Sequence, residues 1–471
     1  MTGIALALIP RRYESTERSV RYRRRQARNA HGNAARRAAR ALTEALRALA
    51  AFTGIGRSDT IQASRCAQTF DARRTSGESL TMLRFFTAGE SHGQALLAWI
   101  SGLPAGLAVD LEFIQREMHR RQLGYGRGGR QKIEKDRVEA FAGIRHGKTI
   151  GAPIALRIEN RDWPNWEKVL PVEDVAGAES ASRPLTAARP GHADLPGALK
   201  LNVHDARTVL ERASARETAA RVAAGALAKI LLREFGVTIL SHVVAVGKVR
   251  MEHPATWSEI EAVCANLESP LRCVSPAAEA AMKLEVDQAL RAGDSVGGIF
   301  EVVAHGVPPG LGSHAQWDEK IDGKLARAVM CIQAVKAVEI GAGVAAAQSY
   351  GSEVGDEIEY DAERHRFTRP TNRAGGIEGG ITNGEDVVVR GYLKPISTLR
   401  RGLATVDLKT KEAVRAAYER SDICVVPAGG VAGEAMVALV LAEAFLEKFG
   451  GDWIGETRRN FEAYQKQLDA F

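Results

Sequence analysis

Cysteine is scarce in this chain. Five residues (Cys66, Cys264, Cys273, Cys331 and Cys424) are spread over 471 positions with no Cys-x-x-Cys pair, so the spacings of a zinc ribbon or a dithiol redox motif are missing and no metal site is expected. Cys264 and Cys273 stand near enough to pair, but without a secretory leader pattern free thiols in a reducing compartment are the expectation. Long apolar runs are also missing. The longest near the C-terminus, Val437 to Ala442, stops at Glu443, well short of the roughly 20 residues a bilayer requires, and no membrane span is expected. There is no His-Glu-x-x-His, and the clustered glycines do not make a dinucleotide-binding fingerprint. The stretch Gly143-Ile-Arg-His-Gly147-Lys148-Thr149 places too few residues between its glycines for a phosphate-binding loop and reads as an ordinary turn.

Lysine is absent from the first 81 residues, which instead hold sixteen Arg and six acidic residues, a charge of +10 that exceeds the whole-chain +7. The remainder is therefore mildly acidic at −3. Arginine clusters such as Arg23-Arg24-Arg25 leave three readings of this segment: a transit peptide directing the chain to a plastid, a basic arm for nucleic acid, or sequence upstream of the true start at Met82. It offers few aromatics for base stacking. The third reading is preferred, with a disordered extension followed by a catalytic domain over 82–471 and a cytoplasmic location.

What is present from Met82 onward is globular: 45% hydrophobic and 26% charged over the whole chain. Short strand-like runs alternate with helices and Gly-rich loops, a mixed α+β pattern. A strand opens at Leu83-Arg84-Phe85-Phe86-Thr87. A helix is expected over Leu111 to Arg121 behind Asp110 as N-cap, and another after Ser214, where Ser214-Ala215-Arg216-Glu217 spells a capping box. Two more are expected after Val431 and after Thr457. Gly102-Leu-Pro104-Ala-Gly106-Leu107 is echoed by Gly306-Val-Pro308-Pro-Gly310-Leu311, each following a strand, which raises two possibilities: a chain of two related halves, or the ordinary recruitment of Gly and Pro to strand-turn junctions.

The candidate functional residues sit in loops. His92 lies in Gly89-Glu-Ser91-His92-Gly93 and His192 in Arg189-Pro-Gly191-His192-Ala-Asp194, each where the backbone can approach a ligand. The helix start at Ser214, flanked by Arg212 and Arg216, is a ready anion site. Arg120, Arg121 and Arg127, interleaved with Gly124, Gly126, Gly128 and Gly129, read as a flexible basic loop. Asp422 precedes a strand-like run, Ile423 to Val426.

Taken together, Gly89 to Pro104, Glu211 to Leu227, and Arg420 through Glu434 resemble, in order and spacing, the three signature regions of the chorismate synthases, and Lys394-Pro395-Ile396-Ser397-Thr398 resembles a further segment of that family. Leu97, Trp99, Ser101 and Ile423 depart from the usual residue types. The resemblance covers 82–471 and implies a β-α-β sandwich, a homotetramer, and elimination of phosphate from 5-enolpyruvylshikimate 3-phosphate to give chorismate with reduced FMN. By the same resemblance Arg212, Ala213, Ser214, Gln333, Ala334, Gly379, Lys394 to Thr398 and Arg420 hold FMN, while Ser91, Arg121, Arg127 and Arg216 meet substrate or NADP. His92 matches the acid that protonates the departing phosphate, His192 the one that protonates or neutralises the reduced flavin, and Asp422 the aspartate that relays the ring proton through flavin N5. Whether NADPH reduces the flavin on the enzyme or an external flavin reductase does so stays open. Two other classes stand beside this reading: a flavin-binding relative without the elimination, and the nucleic-acid binder.

Overall fold

The computed structural model describes residues 83–129, 133–174, 183–363, 365–419 and 421–471. The proposed extension, 1–81, and Arg420 lie outside them.

Two antiparallel sheets enclose a layer of helices. In the first sheet, β1 (Arg84–Ala88), β2 (Ala95–Ser101), β3 (Val138–Ala142) and β4 (Ile154–Glu159) run in the order β1-β2-β4-β3. In the second, β5 (Thr238–Val246), β6 (Val249–Arg250), β7 (Gly298–His305), β8 (Val335–Ile340) and β9 (Val387–Leu393) run β8-β9-β7-β5-β6. Among the described residues the α-helices are α1 (Leu111–Gln122), α2 (Asp194–Leu201), α3 (Arg207–Ala213), α4 (Thr218–Arg233), α5 (Trp257–Ala265), α6 (Pro276–Arg291), α7 (Ile321–Met330), α8 (Val426–Phe449) and α9 (Ile454–Asp469), besides two shorter ones. Helix α4 packs on β2 and β4, α8 packs on β5 and β7, and the two helices pack on each other. This is the expected β-α-β sandwich, and its core is the apolar side chains of both inner sheet faces and of α1, α4, α7 and α8.

The strand alternation explains the layering. Leu96, Ala98 and Ile100 of β2 point inward while Leu97 and Trp99 point outward, 38% and 54% exposed. Phe86 and Phe141 join that outer face, so two of the departures from the family pattern fall on an apolar surface and leave the core untouched. Where α4 meets α8 the approach requires glycine: a Cβ on Gly225 would lie 2.4 Å from that of Ala435.

The described body does fall into two related halves. Elements β1, β2, α1, β3, β4, α4 in the first recur as β5, β7, α7, β8, β9, α8 in the second, with the same neighbours in each sheet and a bulge at the matching edge strand, between Ala140 and Ala142 and between Val335 and Ala337. The near-P-loop stretch is, as read, a turn: a hairpin with His146 and Gly147 at positive φ.

Several sequence readings need correction. Helix α8 begins at Val426, with Pro427 in its first turn, and α9 begins at Ile454, both earlier than expected. The run Ile423 to Val426 is not a strand but leads directly into α8, with Cys424 making a single bridge to Val296. Arg120 and Arg121 are not loop residues; they end α1 and are buried, because Arg120 turns into the core to meet Glu434 at 2.7 Å through both terminal nitrogens. Judging by uninterrupted apolar runs also missed that α8 is long and apolar enough to cross a membrane; here its residues are buried between sheet and helix. Cys264, Cys273, Cys331 and Cys424 are free thiols.

Candidate active site

A cleft of about 950 Å³ opens at one end of the helical layer. It is built from the loop after β1 (Ser91, His92), the end of α1 and its following loop (Arg121, Arg127, Gly128), the start of α4 (Ser214 to Arg216, Thr218), the loop before α2 (Arg189 to Ala193), the turn before β8 (Gln333, Ala334), the exit of β9 (Lys394, Ile396 to Thr398) and the approach to α8 (Ser421, Asp422, Val425). The starts of α4 and α8 both reach it. Unsatisfied N–H groups and the helix dipole favour anions at such ends. Among the described lining residues six Arg and one Lys face four acidic side chains, which makes the cleft suited to an anionic ligand.

His92 is held on three sides. Its backbone N–H donates to Glu211 Oε2 at 2.8 Å, its Nδ1 lies 3.0 Å from both oxygens of the same carboxylate, and its ring stacks on Trp166 with centroids 4.0 Å apart. Glu211 is only 2% exposed. Burial opposes its charge, yet the bonds to His92 and the Arg207 guanidinium hold its carboxyl below the usual range. His192 has a parallel arrangement: its Nδ1 lies 2.5 Å from Asp194 Oδ1, and Asp194 also accepts from Arg189 Nε at 2.8 Å. Burial again opposes the charge of Asp194, and the His192 and Arg189 contacts reverse this and lower its pKa strongly.

The expected capping box is only half made. Ser214 Oγ accepts from the Arg216 N–H at 3.3 Å at the head of a short 3-10 turn, but Glu217 does not reach back; it accepts instead from Thr87, Gln333 and Arg221. Ser214 Oγ also accepts from Ser91 Oγ at 3.0 Å, joining two of the candidate residues directly. Arg121 and Arg216 share Asp136, Arg216 lying 2.5 Å from its Oδ1, and Arg216 further donates to Asn160 Oδ1 at 2.9 Å. Arg127 pairs with Asp422 at 2.9 Å, and the Gly128 N–H donates to Asp422 Oδ1 at 2.5 Å. Gly128 is required there, since a Cβ would come within 2.8 Å of the Ser421 carbonyl oxygen. Lys394 Nζ donates to Ser397 Oγ at 2.8 Å, and Arg189 Nη1 to Thr398 Oγ1 at 2.9 Å. Burial and the neighbouring Lys336 lower the pKa of Lys394.

Of the residues singled out from sequence, the fold gathers Ser91, His92, Arg121, Arg127, His192, Ala213, Ser214, Arg216, Gln333, Ala334, Lys394, Ile396, Ser397, Thr398 and Asp422 around one cleft. Among the described residues that the resemblance assigns to cofactor or substrate, three do not line it. Arg212 is spent on the backbone carbonyls of Thr87 and Gly89. Pro395 is exposed and outside the lining, and Gly379 sits at positive φ in the hairpin of Ile377–Glu378 with Ile381–Thr382. Sequence reading passed over Glu211, Trp166, Asn160, Asp136 and Arg207. Glu211 was within reach, standing at the head of the second signature region, whereas Trp166 and Asp136 are brought in only by tertiary structure. The sequence was also read as having no Gly-x-Ser-x-Gly elbow, and this needs correction, because Gly293-Asp-Ser295-Val-Gly297 has the spacing of a hydrolase nucleophile elbow. It joins the end of α6 to β7, the reverse of the strand-to-helix order the elbow needs, and Ser295 donates to the Ile396 carbonyl at 2.7 Å, supporting the cleft wall.

The comparisons agree with the geometry. The family model described as chorismate synthase matches residues 83–446. A chorismate synthase of Solibacter usitatus is 62% identical over 387 residues, 82% of this chain and 99% of the relative, and one of Symbiobacterium thermophilum is 54% identical over 390 residues, again 82% and 99%. A crystal structure of a chorismate synthase matches with a TM-score of 0.66 at 42% identity, covering 83% of this chain and 99% of its own. With the sandwich, the cleft and these matches in agreement, the chain belongs to the chorismate synthase family, lyases that eliminate phosphate from 5-enolpyruvylshikimate 3-phosphate to give chorismate.

Proposed function

We propose that the cleft binds reduced FMN together with 5-enolpyruvylshikimate 3-phosphate, and that His92, His192 and Asp422 move the protons of the elimination. The observation that carries this is one cationic cleft holding two imidazole–carboxylate pairs, His92 with Glu211 and His192 with Asp194.

The residues present suit both molecules. Substrate brings two carboxylates and a phosphate, and the buried donors Arg121 Nε and Arg127 Nε have no hydrogen-bond acceptor among the described residues, as expected of arginines waiting for an anion. On the wall supplied by the second half, Gln333 Oε1 is likewise buried without a donor. It fits the polar edge of a flavin, with Ala213, Ser214, Ala334, Lys394 and Ile396 to Thr398 around it. Arg420 and Gly379 are assigned to FMN by resemblance alone. When bound, reduced FMN supplies the electron density that expels phosphate from a ring whose departing hydrogen no carbonyl acidifies. His92 gives its proton to the leaving phosphate, His192 supplies a proton toward the reduced ring, and Asp422, fixed by Arg127 and the Gly128 N–H, takes up the ring proton.

The exposed apolar face of Phe86, Leu97, Trp99 and Phe141 supports a homotetramer, since such a patch is more often covered than left to water. Bacterial relatives that align over nearly their whole length with this chain support a cytoplasmic enzyme whose catalytic domain begins near Met82. The deciding experiment is anaerobic phosphate release and chorismate formation by a chain beginning at Met82, with FMN reduced by dithionite. Activity would establish the reading and make 1–81 dispensable. No release from a folded, FMN-binding protein would favour a flavin-binding relative without the elimination. Repeating the assay with NADPH in place of dithionite separates an enzyme that reduces its own flavin from one that needs a reductase.

A further inference from the structure

The carboxylate behind His92 is unusual in what it spends on one residue. Glu211 accepts the backbone N–H of His92 at 2.8 Å and faces Nδ1 of the same ring with both oxygens at 3.0 Å, while the carbonyl of Glu211 accepts the Ser91 N–H at 2.9 Å. A buried carboxylate can only accept, so the Nδ1 it faces must carry hydrogen. That leaves Nε2 as the nitrogen at which a second proton enters and leaves. Trp166 stacks on the same ring at 4.0 Å, and the guanidiniums of Arg183 and Arg207 lie 4.9 and 5.4 Å from the Trp166 centroid, which fixes the indole in turn.

We infer that Glu211 is a positioning residue for the elimination: it holds His92 in the Nδ1–H tautomer with its ring edge set by Trp166, so that Nε2–H is the acid presented to the departing phosphate oxygen. The proton leaves Nε2, the C–O bond electrons go to the phosphate, and the imidazole that remains is neutral with its hydrogen still on Nδ1. The logic is that of the carboxylate in a Ser-His-Asp triad, which orients an imidazole without taking its proton. Arg207, 3.7 Å from Glu211 Oε1, favours the charged carboxylate throughout. This inference rests on the role proposed above for His92.

Two measurements test it, one independent of turnover. In ¹⁵N-histidine-labelled wild-type protein, with His92 assigned by its loss in His92→Asn, the neutral ring should show a protonated Nδ1 and an unprotonated Nε2; the opposite tautomer would overturn the inference even if the enzyme is active. In Glu211→Gln the tautomers should mix, kcat should fall about tenfold or more with little change in the substrate KM or in FMN affinity, and the same change made in His92→Ala should cost nothing further. An undiminished kcat in folded Glu211→Gln, or an equal loss in the His92→Ala background, would mean that the carboxylate does not act through His92. Failure of wild-type protein to release phosphate would instead count against the functional reading and leave the tautomer result standing.

Discussion

Thr149 and Thr382 do the same work in the two halves of the molecule. Thr149 Oγ1 accepts from the Leu107 N–H at 3.0 Å and donates to the Pro104 carbonyl at 2.6 Å; Thr382 Oγ1 accepts from the Leu311 N–H at 2.8 Å and donates to the Pro308 carbonyl at 2.7 Å. Each threonine backbone also pairs with the same Gly-x-Pro-x-Gly-Leu turn, through Gly106 and Leu107 or Gly310 and Leu311. Replacing either by valine keeps the shape and leaves a buried N–H and carbonyl unmatched, at a cost of about 1–3 kcal/mol. Thr149→Val and Thr382→Val should therefore lower the denaturation midpoint by similar amounts, and a variant with both should lose roughly the sum. Urea titration of the three variants checks this; a negligible shift in either single variant would show that its turn is held by other means.

Glu434 is the most committed charge in the core. It is fully buried and meets Arg120, Lys229 and Ser241 at 2.6 to 2.7 Å, while Glu117 shares the two cations. Glu434→Ala should destabilise the protein by about 3–5 kcal/mol, because two cations then remain buried with one carboxylate between them. Thermal or denaturant unfolding reads the loss directly.

The same cluster sets the response to acid. Burial works against the charge of Glu434, but Arg120 and Lys229 outweigh it and hold its pKa at about 2, against an ordinary 4.5; Glu117, Asp136, Glu211 and Glu301 are lowered as well. A carboxyl with a depressed folded pKa stabilises fully above its unfolded value and loses that contribution as pH falls toward the folded one. Tm should be nearly flat above about pH 5 and fall steeply between there and about pH 2. A Tm that held level through this window would refute the assignment of these carboxylates as charged in the core.

His92→Ala and His192→Ala should each cut turnover by about tenfold to a hundredfold or more while leaving FMN affinity within a fewfold of wild type. Stopped assays for phosphate and fluorescence titration with FMN separate the two quantities, and full activity in both variants would defeat the proton-transfer roles.

Arg216→Lys tests the geometry of the anion site. The guanidinium bridges Asp136 and Asn160 on one side and the cleft on the other, a fork an ammonium cannot reproduce. The substrate KM should rise by about an order of magnitude with the fold intact; an unchanged KM would place Arg216 among the purely structural residues.

How much of this was legible beforehand varied with the kind of signal. Asp110 was read as the cap of α1 because a side-chain acceptor before an apolar stripe is a local signal, and its side chain accepts from the Phe113 N–H. The Gly-x-Pro-x-Gly echo pointed to related halves, but its partner passed unnoticed: Gly143-Ile-x-x-Gly147-x-Thr149 recurs as Gly376-Ile-x-x-Gly380-x-Thr382, and the two threonines are what clasp the turns. The start of α8 was misjudged because Ile423 to Val426 is apolar and β-branched, preferences that its packing overrides. Asp136 and Trp166 could not be reached from sequence at all, since nothing local distinguishes an aspartate that two distant arginines will share.

The packing of α4 against α8, with no room for a side chain at Gly225, bears on how the protein comes apart. Each of these helices is covered on one side by its own sheet and on another by the helix of the other half, so loosening either half uncovers apolar surface on both. Melting should therefore be concerted. Because the cleft lies where the two helix starts meet, a ligand bound there would be released in that same transition and not in an earlier partial opening.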